Sequence, residues 1–155
     1  MYRKILVPLD GSELAECVLP HVESIAKGCD GKNVVFLRVV EPFHLSGAEA
    51  SDYFSEEDIK RADSENRVDA ENYLKKLVNQ TKYDGVKVQS VVLMGQAAEN
   101  ISDYATKNGV DLIIIATHGR SGVSRWVWGS VADRVVRSSS MPVLLVRPKE
   151  CVPGI

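Results

Sequence analysis

The chain has 155 residues with 19 Lys plus Arg against 21 Asp plus Glu, a net charge of -2. That length suits one compact domain, and the near-cancelled charge disfavours a general nucleic-acid binder, which carries a basic excess. The three cysteines, Cys17, Cys29 and Cys151, form no C-x-x-C pair, so neither a disulfide framework nor a zinc site is expected, and a reducing compartment is.

Residues 5–9 (ILVPL) read as a short apolar strand ending in the turn cluster Asp10-Gly11-Ser12. Its lead-in is too short for a signal peptide. Ser12 is placed to cap a following helix, with Glu13 and Glu16 in its first turn. Leu14, Val18, Val22, Ile25 and Ala26 form its apolar stripe. Pro20 lies inside that stripe and must kink or split the helix. Gly28 and Gly31 end it, and residues 33–40 (NVVFLRVV) form a second buried strand. Residues 41–55 read as a loop, long enough to suggest a functional role or disorder. Residues 56–80 carry one apolar face and read as a surface helix.

Residues 86–93 (VKVQSVVL) alternate as a third strand that Gly95 breaks. Residues 96–107 are helical, with Gly109 as the expected C-cap. Residues 110–116 (VDLIIIA) form the fourth strand, and Trp128, Val131, Ala132, Val135 and Val136 mark the helix after it. Residues 142–146 (PVLLV) form the fifth strand, and residues 148–155 form a tail. No stretch approaches the ~18 apolar residues of a membrane helix, and a cytoplasmic protein is expected.

Five apolar strands alternating with helices predict an α/β fold: one doubly wound, five-stranded parallel sheet with helices on both faces. Right-handed crossovers bring the helix-entrance loops to the carboxyl ends of the strands. The ligand crevice then lies where strand order reverses. If the first and fourth strands are neighbours there, Asp10 faces the loop at 116–130.

That loop is the most informative segment. Ala116-Thr117-His118-Gly119 is followed after nine residues by Gly129-Ser130, with Arg120 and Arg125 between them and no acidic residue. A glycine-rich passage from strand to helix can turn several backbone N–H groups onto one anion, and the helix dipole adds to them. It is neither a Walker P-loop nor a dinucleotide fingerprint. Read from spacing alone, the glycines either cradle phosphate or merely permit a tight connection. Asp10 either serves a ligand or caps a turn. Ser130, three before Asp133, has the spacing of a capping box that needs no ligand. His118 has no positioned partner in the sequence that would make it an acid or base.

Taken together, Ile5 to Ser12, Val39-Val40, the 116–132 segment and Pro142 to Val146 resemble the universal stress protein family, in its ATP-binding branch. That branch has the pattern G-x-x-G, nine residues, G-[ST]; the chain departs from it at Ala116, where the first glycine would stand. The resemblance implies an adenine nucleotide alpha hydrolase-like, Rossmann-like domain over residues 1–147. It implies Pro8 and Asp10 near the adenosine, with Asp10 on the ribose or helping to hold a metal. Val39 would offer backbone groups to the base. Ala116, Gly119, Arg120, Gly122 and Gly129 would surround the phosphates, with the Ser130 hydroxyl and the Val131 N–H completing the set. ATP with Mg²⁺ or Mn²⁺ bridging its phosphates is the expected cofactor, and slow hydrolysis at most, because no Walker lysine or water-positioning base is present. A homodimer through residues 142–146 is implied, its edge apolar on both faces. The alternative is a dimeric interaction module of the same fold that binds no nucleotide.

Overall fold

The computed structural model describes residues 1–43, 54–117 and 129–148. In chain order they form β1 (Lys4–Pro8), a 3₁₀ turn (Ala15–Val18), α1 (Leu19–Gly28), β2 (Asn33–Val40), α2 (Glu56–Gln80), β3 (Lys87–Met94), α3 (Ala97–Lys107), β4 (Leu112–Ala116), α4 (Ser130–Ser138) and β5 (Val143–Val146). The sheet is parallel throughout with strand order β3-β2-β1-β4-β5, the expected α/β architecture. β1 and β4 are neighbours, Ile5 opposite Leu112 and Leu6 opposite Ile113, so strand order reverses between them.

Strand alternation divides the core into two layers. Ile5, Val7, Val34 and Phe36 pack beneath Val22 and Ala26 of α1 and Leu74 and Leu77 of α2. Leu6, Val35, Leu37, Ile113 and Ile115 pack beneath Ile101 and Ala105 of α3 and Ala132 and Val135 of α4. The long α2 opens with a capping box: Ser55 Oγ accepts the Asp58 N–H while the Asp58 carboxylate accepts the Ser55 N–H.

Two local readings are corrected. No helix starts at Ser12. The 3₁₀ turn comes first, and α1 opens with Pro20 in its first turn, where a missing N–H and fixed φ cost nothing. Pro20 therefore splits the predicted helix. The Ser12 hydroxyl instead accepts the Ala15 N–H at 3.2 Å. α1 ends at Gly28 as expected; Asp30 follows with φ 53°, and a Cβ at Gly31 would meet the Ala26 backbone at 3.0 Å. β4 begins at Leu112 rather than 110 because Asp111 uses its side chain: one carboxylate oxygen accepts the N–H groups of Arg3 and Lys4, both at 2.9 Å.

Two tyrosines, the partly buried Tyr73 and the buried Tyr83, tie the helical layer over β2 to the chain below. Tyr73 on α2 donates to Glu16 at 2.8 Å, and Tyr83 donates to the Leu19 carbonyl at 3.3 Å. Burial, then the bond to Glu16, holds the Tyr73 phenol above its ordinary range, and burial with Glu23 nearby pushes Tyr83 up to about 12. The native state thus keeps these protons more tightly than the unfolded chain. Its stability is full below the unfolded value near 10 and falls as pH rises past it. The urea midpoint is expected to drop between about pH 9 and about pH 11, and Tyr73→Phe to flatten that drop.

Candidate functional site

The carboxyl ends of β1, β2 and β4 and the entrance of α4 enclose a cavity of about 270 Å³. Its floor is apolar: Pro8 and Leu37 at the strand ends, Val39 beyond them, and Ile101 and Ile115 from the layer of α3 and α4. Leu37 and Val39 reach it because they share one face of β2. Asp10 stands at one side; Ala116, Thr117, Gly129, Ser130 and Val131 stand at the other. Asp10 therefore faces the β4–α4 connection, as expected from adjacent first and fourth strands.

The Asp10 loop is braced from beneath. Asp10 Oδ1 accepts the Ser12 N–H at 2.9 Å and the Ser12 hydroxyl at 2.6 Å, so its turn-forming role is real and coexists with its place in the cavity wall. Gly11 has φ +83°, and a Cβ there would lie 2.6 Å from an Arg38 guanidinium nitrogen. Arg38 in turn lies over the Tyr73 ring, 5.7 Å from its centroid. Gly11, Arg38 and Tyr73 thus form a stack from the loop to α2, which the Tyr73–Glu16 bond closes.

On the opposite side, Gly129 donates its N–H to the Thr117 carbonyl at 2.7 Å, and Thr117 donates its own to Val146 at 2.9 Å. The Gly129 amide thus has a partner within the chain. Gly129 is the N-cap of α4 with φ -52° and ψ 137°, a conformation open to any residue, so its value is the space it leaves. The N-cap Gly129 offers α4 no side-chain cap, and the first-turn amides of Ser130, Val131 and Ala132 have no acceptor within the helix. The capping-box reading of Ser130 and Asp133 also falls. Asp133 is bound instead to Arg137, at 3.2 and 3.0 Å.

The site gathers Pro8, Asp10, Val39, Ala116, Gly129, Ser130 and Val131 around one cavity. Gly119, Arg120 and Gly122, with His118, Arg125 and Trp126, lie outside the described residues. The sequence reading missed Leu37, Ile101 and Thr117 as walls. Leu37 was legible from its parity with Val39, and Thr117 sits inside the quoted motif; Ile101 carries no signal beyond its apolar stripe. Among the described residues, Asp10 is the one ionisable side chain lining the cavity, and no group of three or more His, Cys, Asp or Glu could hold a metal. No helix among them is long and apolar enough to cross a membrane.

The universal stress protein family profile matches residues 1–147. The chain belongs to the universal stress protein family. Its relatives include the universal stress protein MJ0531 of Methanocaldococcus jannaschii, 34% identical over 97% of this chain and 85% of that one. The solved structure of MJ0577 from the same organism superposes with a TM-score of 0.81 at 31% identity, covering 96% of this chain and 98% of its own. An Archaeoglobus fulgidus universal stress protein solved in complex with dAMP shares the fold with a TM-score of 0.63 at 21% identity, covering 93% of this chain and 97% of its own.

Proposed function

We propose that this universal stress protein binds an adenine nucleotide, ATP by preference, as a regulatory ligand, and hydrolyses it slowly if at all. The observation that carries the reading is the lining of one cavity: mostly apolar walls, the Asp10 carboxylate and the first turn of α4. A base fits the floor, ribose hydroxyls can donate to Asp10, and phosphates meet the Ser130, Val131 and Ala132 amides with the dipole of α4 behind them. Gly119, Arg120 and Gly122 would complete the phosphate contacts. Relatives that hold dAMP, AMP and cAMP support an adenine nucleotide as the ligand class.

The donor set fits a Mg²⁺ or Mn²⁺ carried in by the phosphates rather than one held by the protein alone. Asp10 is the single carboxylate at hand, and one of its oxygens already accepts two bonds from Ser12. Its role toward the ion is then indirect, through water. When bound, such an ion neutralises phosphate charge. Slow hydrolysis is expected from the sequence, which has no Walker lysine and no evident water-positioning base. Denaturing freshly purified protein and weighing the released small molecules tests the reading. Adenine nucleotide near one per chain supports it. None released, together with no calorimetric binding, replaces it with an interaction module that takes no nucleotide.

The same reading includes a homodimer through β5, an edge strand whose Leu144 is exposed. Val143 and Leu145 face inward, against the α3 and α4 layer, so lysine at either position would damage packing as well as pairing. Leu144→Lys is the cleaner variant: it is expected to shift sedimentation from dimer to monomer with the melting temperature of the monomer fold retained. A wild-type chain that sediments as a monomer would end the proposal.

A further inference from the structure

We propose that Arg134 contacts ligand phosphate and makes this protein favour longer phosphate chains, which lie in the groove beside it. The inference rests on the nucleotide reading above and goes beyond it by naming a residue outside the family's glycine pattern.

A second hollow, about 530 Å³, runs from Glu41 and Pro42 past Gly95 to Ala98 at the entrance of α3, to Ser130, Val131 and Arg134 on α4. It shares Ala97, Ser130 and Val131 with the cavity, so the two hollows adjoin at the entrances of α3 and α4. The cavity alone falls just below the roughly 300–1,000 Å³ of drug-sized ligand pockets, and a longer phosphate chain would extend beyond it along the groove.

Arg134 stands four residues after Ser130 and three after Val131, on the face of α4 that borders the groove. Side chains on a helix lean toward its N-terminus, over the preceding turn. The guanidinium is thereby carried back toward the Ser130 amide. Arg134 makes no ion pair among the described residues, whereas Arg137 is committed to Asp133 through two bonds. Among the described residues, Arg134 is thus the cation lining the groove. Glu41 lines the groove at its other end, so a phosphate chain has an attractive wall and a repulsive one, and its path is kept along α4.

The test is calorimetric binding of AMP, ADP, ATP and inorganic tripolyphosphate to the wild type and to Arg134→Ala, Arg134→Lys and Arg137→Ala, each checked for folding by thermal melt. Wild-type affinity is expected to rise from AMP to ATP. Arg134→Ala should lose about tenfold for ATP and for tripolyphosphate while AMP changes less than about twofold, the scale of one charge-assisted hydrogen bond. Arg134→Lys should recover part of the loss, and Arg137→Ala should leave the ranking intact. An unchanged ATP-to-AMP ratio in Arg134→Ala, or an equal fall for both, overturns the inference while the nucleotide reading stands. A wild type that binds none of the four overturns both.

Discussion

Gly129→Asp is expected to abolish ATP binding while leaving the fold as stable as the wild type or more so. The two effects separate because of where Gly129 sits. It is the N-cap of α4, in an extended conformation that asks nothing of glycine. Aspartate is among the best N-cap residues, so the introduced carboxylate would take the very first-turn amides that the ligand's phosphates need and would set a like charge beside them. Losing two charge-assisted bonds costs about 3 kcal/mol or more, a hundredfold or greater loss in affinity. Gly129→Ala, which removes only space, should weaken binding far less. Calorimetry with ATP and a thermal melt of both variants check this. ATP affinity in folded Gly129→Asp equal to that of the wild type would remove α4's entrance from the site.

Phe36→Ala is expected to give the largest loss of stability among core substitutions. Phe36 is the largest of the fully buried side chains. It lies in the middle of β2 with partners on both sides, Val7 opposite in β1 and Ser90 in β3, under the α1 and α2 layer. Deleting a buried phenyl ring costs about 3–5 kcal/mol, which lowers the melting temperature by on the order of 10 °C for a chain of this size. The next residue along, Leu37, points the other way into the cavity. Any Phe36→Ala protein that remains folded in the cold should therefore bind nucleotide nearly as the wild type does. A melting temperature within a few degrees of the wild type would mean the α1 and α2 layer recloses over the gap.

The two adjacent residues illustrate how much of this molecule is readable in advance. Residues 33–40 are apolar except for Asn33 and Arg38, and the strand spans those residues. Residues 56–80 keep one apolar face over seven turns, and the helix spans those residues. Both signals are local and repeat many times, so no single competing interaction overturns them. The start of α1 was misread for the opposite reason. Ser12 and Glu13 carry the marks of a helix entrance, but the hydroxyl closes a turn on Asp10 and Ala15, and with Pro20 in its first turn α1 starts seven residues after Ser12. The start of β4 was displaced by Asp111, whose side chain serves Arg3 and Lys4, more than 100 residues away in sequence. The candidate site divides the same way. Pro8, Val39, Gly129 and Ser130 sit in compact motifs and were legible. The Gly11, Arg38, Tyr73 and Glu16 stack draws on three elements whose meeting only the folded chain creates. Arg134 is an ordinary surface arginine until the groove beside it is seen.

The 2.7 Å bond from the Gly129 amide to the Thr117 carbonyl carries a further consequence for how such chains can vary. It works as a clasp that ties the end of β4 to the entrance of α4. Lengthening a segment whose two ends are already fastened costs only about 0.6 kcal/mol per doubling. Insertions, deletions or a grafted recognition peptide at that point should leave the sheet and both core layers standing, which makes this connection a natural position for swapping in new binding specificity.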